Sequence, residues 1–294
     1  IAKIGTNTLT LSSSQSYTGP TTITGGTLAF TSGRNQTLTG AISGSGAVFK
    51  SGSGTLLLTG SNSHTGGTLI AGGTLQIGSG GTTGWITGPI TNGGAVVFNR
   101  SDSVDFSGSL SGSGSVVHAG GGQFTLSGSN SHSGGTWVTG VGSLAAASAA
   151  AFGSGTISLQ SGQTSFNTVL DLTGGMTLAN PIVLAQTAGN RNNIRVSGTT
   201  IFSGPITVTG TGTGSDVFQN ATSTGQLTLA GNISAPSSFG GSLSFRYGRI
   251  LITSTINASA AAFDLNNGGT TIVSSTGNVW NLVRFAGTST DNLL

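Results

Sequence analysis

The chain has 294 residues, of which 53 are glycine and only 5% are charged, and it contains no cysteine and no glutamate. Scarce charge together with abundant Val, Ile and Thr argues against disorder, which combines high net charge with few β-branched residues. A net charge of +3 is too dilute for a nucleic-acid interface, which needs a concentrated basic stripe. Disulfides and thiolate metal sites are excluded, and no apolar run reaches the roughly 18 residues of a membrane span.

One repeat occurs three times along the chain, at residues 5–28, 52–75 and 120–144. The second copy, at an offset of 47, reads GSGTLLLTGSNSHTGGTLIAGGTL, and the third follows at an offset of 68 with one extra residue. Repetition on this scale is typical of solenoids. Because the offsets differ by 21, a coil of roughly 20 to 24 residues fits twice into the first offset and three times into the second. We expect about 13 stacked coils, spaced ~4.8 Å apart.

Short alternating runs follow one another from the first repeat onward, as in Thr8–Leu11, Thr55–Leu58 and Thr156–Leu159. Each run is bounded by Gly, Ser or Asn, a pattern that predicts strands and turns. The stretch 144–152 (LAAASAAAF) fits either a short helical turn or a packed corner of small residues, and the flanking strands favour the corner. The sequence therefore predicts an all-β protein with a single parallel β-helix, regular over residues 1–145 and degenerate over 146–294.

The segment Lys50–Leu75 (KSGSGTLLLTGSNSHTGGTLIAGGTL) resembles the autotransporter-associated β-strand repeat of bacterial passenger domains and surface proteins. Lys3–Leu28 matches the same pattern with Tyr17 at its aromatic position, and His118–Leu144 matches it with His in place of Lys. The resemblance implies a right-handed parallel β-helix, located outside a bacterial cell or on its surface after removal of targeting segments not present here. The family includes adhesins and matrix components, so the resemblance does not fix an activity.

Candidate catalytic residues are scarce. Polysaccharide-active β-helix enzymes need paired carboxylates or a carboxylate-bound metal, and Asp102 and Asp105 form the only close acidic pair. Strand alternation places residues three apart on opposite faces, so we interpret this pair as a solvated corner. We expect no catalytic residues, no bound metal and no cofactor, and hence a protein that is not an enzyme.

The aromatic position of the repeat holds Tyr17, His64 and His132. We interpret it as a stacking position at a corner, with structural histidines. If these histidines are three coils apart, they lie roughly 14 Å from each other, too far to share a metal. The candidates for a carbohydrate-binding face are the aromatic residues Trp85, Trp137, Trp280, Tyr17 and Tyr247. They are scattered along the chain, and core or corner stacking explains them better.

The chain ends are the predicted assembly edges, because a β-helix end without a polar cap presents unpaired strand edges. These residues are Ile1, Ala2, Lys3 and Ile4 at one end and Asp291, Asn292, Leu293 and Leu294 at the other. Head-to-tail contact between them is heterologous and generates an open filament. We expect a structural subunit that stacks with copies of itself into a surface or matrix fibre, unless the termini are cuts within a longer chain. An adhesin that binds surface or matrix glycans is the first alternative, and a polysaccharide-active enzyme is the second.

Overall fold

A computed structural model describes residues 1–161, 168–186, 191–222, 224–266, 270–274 and 279–286. Over these residues the chain is all-β, with parallel strands stacked as a β-solenoid of about 12 turns, so the predicted fold class is confirmed. The stretch 144–152 is partly strand and partly a 3-10 turn, Ala149–Phe152, which buries Ala151 and Phe152. No helix in the described ranges is long and apolar enough to cross a membrane.

The described residues form two compact units. The first comprises Ile1–Thr136 and Ala150–Ser154, and the second comprises Trp137–Ala149 and Gly155–Leu294. Strands of the first unit are two to four residues long, as expected where a strand spans one side of a coil. In chain order they are β1 (Ala2–Lys3), β2 (Thr8–Leu11), β3 (Thr21–Ile23), β4 (Thr27–Phe30), β5 (Gln36–Leu38), β6 (Ile42–Ser43), β7 (Ala47–Lys50), β8 (Thr55–Leu58), β9 (Ser61–Asn62), β10 (Thr68–Ile70), β11 (Thr74–Ile77), β12 (Trp85–Ile86), β13 (Ile90–Asn92), β14 (Ala95–Phe98), β15 (Val104–Phe106), β16 (Leu110–Ser111), β17 (Ser115–His118) and β18 (Phe124–Leu126). The next strand, β19 (Thr136–Val138), begins at the last residue of this segment and continues into the second unit.

Strands of the second unit are mostly longer, and several of its coils are longer too. Leu170 pairs with Ile194 and Ile194 with Phe218, each 24 residues on, whereas Phe218 pairs with Phe245, 27 residues on. The strands are β20 (Ser143–Ala146), β21 (Ile157–Ser161), β22 (Thr168–Leu172), β23 (Thr177–Leu178), β24 (Ile182–Gln186), β25 (Asn192–Val196), β26 (Thr200–Phe202), β27 (Ile206–Gly210), β28 (Ser215–Asn220), β29 (Gln226–Leu229), β30 (Ile233–Ser234), β31 (Ser242–Arg246), β32 (Arg249–Ile252), β33 (Ile256–Asn266), β34 (Thr270–Val273) and β35 (Val279–Ala286).

The strand register shows how the repeats lie on the coils, and it corrects one expectation. Leu9 pairs with Leu28, and Leu28 pairs with Val48, so two coils from Leu9 end at Val48. Leu56, the equivalent of Leu9 in the second repeat, lies eight residues further on and belongs to a different sheet, where it pairs with Leu75. The prediction that the offset of 47 spans a whole number of coils is therefore wrong.

The second offset behaves in the same way. Three coils from Leu56 pass through Leu75 and Val96 and end at Val116, again eight residues short of the equivalent residue, Phe124. Each repeat spans one coil and one further strand, because its first strand pairs with its last, as Thr8 pairs with Thr27 and Thr55 with Thr74. Eight residues correspond to one strand and one corner, so successive copies begin on different sides of the coil.

The core of each unit is built from inward-facing rows of apolar side chains. Leu56, Leu75, Val96 and Val116 occupy equivalent positions of paired strands and are fully buried. Burying a side chain of this size contributes about 1.5–3 kcal/mol, and one coil alone cannot exclude water from it. In the second unit the rings of Phe218 and Phe245 stack at 5.3 Å, and Phe245 lies 4.7 Å from Phe263. Coil stacking is therefore what creates the core.

Two corners show why glycine is frequent. Gly44 and Gly112 adopt φ values of 102° and 97°, a conformation that residues with a Cβ rarely adopt. A Cβ on either glycine would lie 2.2 Å from a backbone oxygen of the coil below, that of Ile23 or Asn92 respectively. Glycine at these corners lets one coil approach the next closely enough for strand pairing on both sides of the turn.

Candidate assembly edge and repeat positions

The predicted amino-terminal assembly edge is an apolar surface in the structure. Strand β2 is the outermost strand of its sheet, with β4 beside it on the inner side. Leu9 of β2 is 37% exposed, although its partner Leu28 is fully buried. Ile1 and Ile4 are 42% and 75% exposed, and Ala2 is also exposed. The predicted carboxy-terminal edge, residues 291–294, lies outside the described residues.

Lys3 differs from the other predicted edge residues because its side chain is buried, with only 6% exposed. Its Nζ donates to the carbonyl oxygens of Ile4 at 3.2 Å, Gly5 at 2.8 Å and Gly25 at 2.9 Å. The first two oxygens belong to the turn that follows β1, and the third belongs to the next coil. The ammonium group therefore ties two coils together at a corner.

Lys50, at the same position of the second repeat, forms an equivalent set of bonds. Its Nζ donates to the carbonyl oxygens of Ser51 at 2.8 Å, Gly52 at 2.9 Å and Gly72 at 3.3 Å. Lys50 is 1% exposed, and burial lowers its pKa. Hydrogen bonds from an ammonium to backbone carbonyls satisfy oxygens at a turn that strand pairing leaves without a donor. We call this arrangement the lysine clamp.

His118 occupies the lysine position of the third repeat. Its Nε2 donates to the carbonyl oxygen of Gly122 at 3.1 Å, and its ring stacks on Phe124 at 5.5 Å. Burial lowers the pKa of His118 to about 4. One bond to a carbonyl and one ring contact thus replace the three bonds of the lysine clamp.

Removing the ammonium of Lys50 is expected to destabilise the first unit. The change Lys50→Met keeps the length and apolar stem of the side chain but leaves the three carbonyl oxygens without this donor. We expect the free energy of unfolding to fall by about 2–4 kcal/mol. Chemical denaturation followed by circular dichroism measures this loss. The control Arg34→Met removes an exposed cation of the same unit and should cost less than about 0.5 kcal/mol; equal losses in both variants would contradict the clamp.

Protonation of His118 gives a second prediction. Its pKa in the folded chain, about 4, lies below the ordinary value of 6.5. Above pH 6.5 the imidazole is neutral in both states. As the pH falls from 6.5 to 4, only the unfolded chain takes up the proton, so folding stability is lost over that window, by at most about 3 kcal/mol. Between pH 7 and pH 4 the unsubstituted chain should therefore lose up to about 3 kcal/mol more unfolding free energy than His118→Gln does. An equal loss in the two chains would disprove the assignment.

The aromatic position of the repeat always bonds to the threonine four residues later. Tyr17 bonds to Thr21 (3.1 Å between oxygens), His64 Nε2 to Thr68 Oγ1 (2.9 Å) and His132 Nε2 to Thr136 Oγ1 (2.9 Å). Both histidines are fully buried, and burial lowers the pKa of each. The two histidines do not lie in one column of stacked residues. Thr68, the partner of His64, pairs with strand β7, whereas Thr136, the partner of His132, lies beside β17, where the Val116 amide donates to the Gly135 carbonyl oxygen. The two histidines therefore lie on different sides of the coil.

Sequence reasoning missed a further repeat position, the asparagine at Asn62 and Asn130. Asn62 Oδ1 accepts from the Ile42 amide at 3.0 Å, and its Nδ2 donates to Gly60 and Trp85 carbonyl oxygens at 2.9 and 2.7 Å. These three backbone groups lie on three successive coils. Asn130 also bridges its neighbours, accepting from the Leu110 amide and donating to the Ala151 carbonyl. The signal was available, since SNSH recurs in both copies.

The acidic pair is not arranged as a shared site. Both carboxylate oxygens of Asp102 bind the guanidinium of Arg100, at 2.8 and 2.6 Å, which lowers the pKa of Asp102. Asp105 is exposed and accepts from the Ser127 hydroxyl at 2.6 Å. Arg100 also lies 5.9 Å from the ring centroid of Trp85. The two carboxylates are therefore engaged separately.

Trp85 packs at a corner, with its ring 6.2 Å from that of Phe106 in an edge-on arrangement. Trp137 is half-buried, and the side chain of Trp280 lies outside the described part of the chain. The concave surface of the first unit lies elsewhere, on the outer face of β2, β4, β7 and β10. This groove has a volume of about 540 Å³, and its lining includes Thr8, Thr27, Phe49, Leu69 and Thr91.

Comparison with known protein families gives three matches to the Passenger-associated-transport-repeat, at residues 1–30, 48–77 and 116–145. Three separate segments of the chain are thus similar to this repeat. These are the three copies recognised in the sequence, and the resemblance to autotransporter-associated repeats is confirmed. The protein is thus a passenger-like β-helix protein, and the transport repeats indicate an extracellular or cell-surface location. No curated protein and no solved structure matches the chain.

Proposed function

We propose that this protein is a structural, non-catalytic β-solenoid of the bacterial surface whose first coil accepts a further coil from another copy, so that copies form a fibre. The observation that carries the proposal is the apolar edge of the first coil, where Leu9 of β2 is exposed together with Ile1 and Ile4 on either side of β1. In the described structure, β2 has a paired strand on one side only. Exposed strand edges template pairing with another chain.

The pairing inside the first unit indicates what an added coil would contribute. Strands β2 and β4 pair over four residues, from Thr8 with Thr27 to Leu11 with Phe30. A coil on the open side of β2 would repeat this ladder and cover Leu9, and burial of one such side chain contributes about 1.5–3 kcal/mol. Pairing of one coil end with a different coil end is heterologous, and such contacts propagate into open filaments.

The non-catalytic part of the proposal rests on how the acidic groups are engaged. Asp102 binds Arg100, and Asp105 accepts from Ser127. Asp171 binds Arg195, which raises the pKa of that guanidinium. Glycoside hydrolysis requires two carboxylates facing one bond across roughly 5–9.5 Å, and carboxylates bound separately to neighbouring side chains are poorly suited to it.

The fibre proposal predicts a concentration-dependent filament. Negative-stain electron microscopy and analytical ultracentrifugation of the purified chain should show rods that lengthen as concentration rises. The double variant Ile4→Lys, Leu9→Lys places two charges on the open edge and should shorten the rods to single subunits. The control Leu69→Lys charges an exposed leucine on the outer face instead and should leave rod length unchanged.

Single, monodisperse particles of the unsubstituted chain at high concentration would refute self-assembly. That outcome would assign the open edge of β2 to a preceding segment of a longer chain. Thermal unfolding of both lysine variants shows whether the fold is intact, since substitutions of exposed residues usually change stability by less than about 0.5 kcal/mol.

Glycan binding in the groove of the first unit is the second candidate function. The groove combines threonine hydroxyls, which hydrogen-bond sugars, with the half-buried ring of Phe49, which offers an apolar surface. A glycan array should then show binding that Phe49→Ala reduces at least tenfold, a loss of about 1.4 kcal/mol, while Tyr247→Ala, an exposed aromatic of the second unit, has no effect. Absence of array binding would dismiss this candidate.

A further inference from the structure

The interior of the second unit contains a polar cluster among apolar rows. Gln186 is the last residue of β24, Asn192 is the first residue of β25, and Asp216 lies near the start of β28. All three side chains are at most 1% exposed. Asn193 pairs with Val217, so Asn192 and Asp216 lie on adjacent coils. Strand pairing thus gathers one carboxylate and two carboxamides at an interior corner.

Hydrogen bonds within the cluster converge on one oxygen atom. Asp216 Oδ1 accepts from Gln186 Nε2 at 2.7 Å, from Asn192 Nδ2 at 2.9 Å and from the Asn192 amide at 3.3 Å. Among the described residues, Asp216 Oδ2, Gln186 Oε1 and Asn192 Oδ1 have no donor. One carboxylate oxygen and the oxygens of the two carboxamides bound to that carboxylate are therefore buried without a hydrogen bond.

Such an arrangement is costly for a protein interior. A buried oxygen without a donor loses the hydrogen bonds that water would supply, and a buried carboxylate needs either a positively charged partner or a proton that neutralises it. No lysine or arginine of the described chain donates to Asp216, and Arg195, on the same strand as Asn192, is bound to Asp171. Among the described residues, the cluster therefore has no cationic partner for its unpaired oxygens.

We propose that Gln186, Asn192 and Asp216 form a binding site for a hard, oxygen-coordinated cation of the Ca²⁺ type. Carboxylate and carboxamide oxygens are the ligands that Ca²⁺ prefers. The three side-chain oxygens without donors supply part of the six to eight ligands that Ca²⁺ takes, and water or carbonyl oxygens supply the rest. One carboxylate gives little charge compensation, so binding is weak, near the 10⁻⁴–10⁻³ M range of extracellular calcium modules.

A proton on Asp216 Oδ2 is the rival explanation. Burial raises the pKa of Asp216 to about 6, against hydrogen bonds from Gln186 and Asn192 that lower it. A protonated carboxyl could donate to one of the carboxamide oxygens and would need no metal. The two explanations differ at neutral pH, where only the cation site predicts a response to added Ca²⁺.

Thermal unfolding at pH 7.5 tests the site directly. Addition of about 10 mM CaCl₂ to EDTA-treated protein should raise Tm by about 3–5 °C relative to NaCl of equal ionic strength. Isothermal titration calorimetry should give one Ca²⁺ per chain. Asp216→Asn should abolish both responses and, because it removes an uncompensated buried charge, should raise Tm in EDTA. The control Asp105→Asn removes an exposed carboxylate and should respond to Ca²⁺ as the unsubstituted chain does.

The outcomes separate the explanations. No Tm shift and no calorimetric binding in the unsubstituted chain would overturn the cation site and leave the proton. An equal Ca²⁺ response in Asp216→Asn would place the binding elsewhere on the surface and would also overturn it. If Asp216→Asn does not fold, Gln186→Met, which removes one proposed ligand and keeps the volume, should weaken Ca²⁺ binding at least fivefold.

Discussion

Parallel hydrogen bonding from one coil to the next is the constraint on which the rest of the structure depends. It fixes the spacing between coils, and the spacing in turn decides which side chains form continuous buried rows. Where the strand ladder stops at a corner, side chains continue it. The ammonium groups of Lys3 and Lys50 reach carbonyls of two coils, and the amide of Asn62 reaches three. A chain with 5% charged residues thus uses several of its few polar groups as inter-coil connections.

The fold class could be predicted from sequence because alternation and glycine-bounded turns are local. Leu56 and Leu58 are buried and their neighbours are not, because successive residues of a strand point to opposite faces. This alternation can be predicted without knowing the partner strand. The repeat length was also readable. The side of the coil on which each repeat begins could not be predicted, because an offset of 47 only counts residues. Strand register also depends on which corners contain extra or fewer residues. Thr68 pairs with Ile90 after 22 residues but with Val48 after 20.

Candidate sites were harder to predict for the same reason. The lysine clamp needs a carbonyl 22 residues away, at Gly25 or Gly72, and carbonyls leave no signature in a sequence. The cluster at Asp216 joins residues 24 and 30 positions apart, within a unit whose coil length varies from coil to coil. Tyr17, His64 and His132 were grouped as one repeat position, but the strands that carry their threonine partners determine where each side chain lies. Each of these features depends on the register between strands far apart in sequence, and local strand propensity does not encode that register.

The eight-residue displacement between successive transport repeats has a genetic consequence. Successive copies begin on different sides of the coil, and in each the first strand pairs with the last, so the repeat forms its coil wherever it begins. A duplicated segment can therefore enter the array at several phases and still find a strand to pair with. Gene duplication and recombination in such a chain need not conserve a whole number of coils, which widens the set of insertions and deletions that leave the backbone ladder continuous.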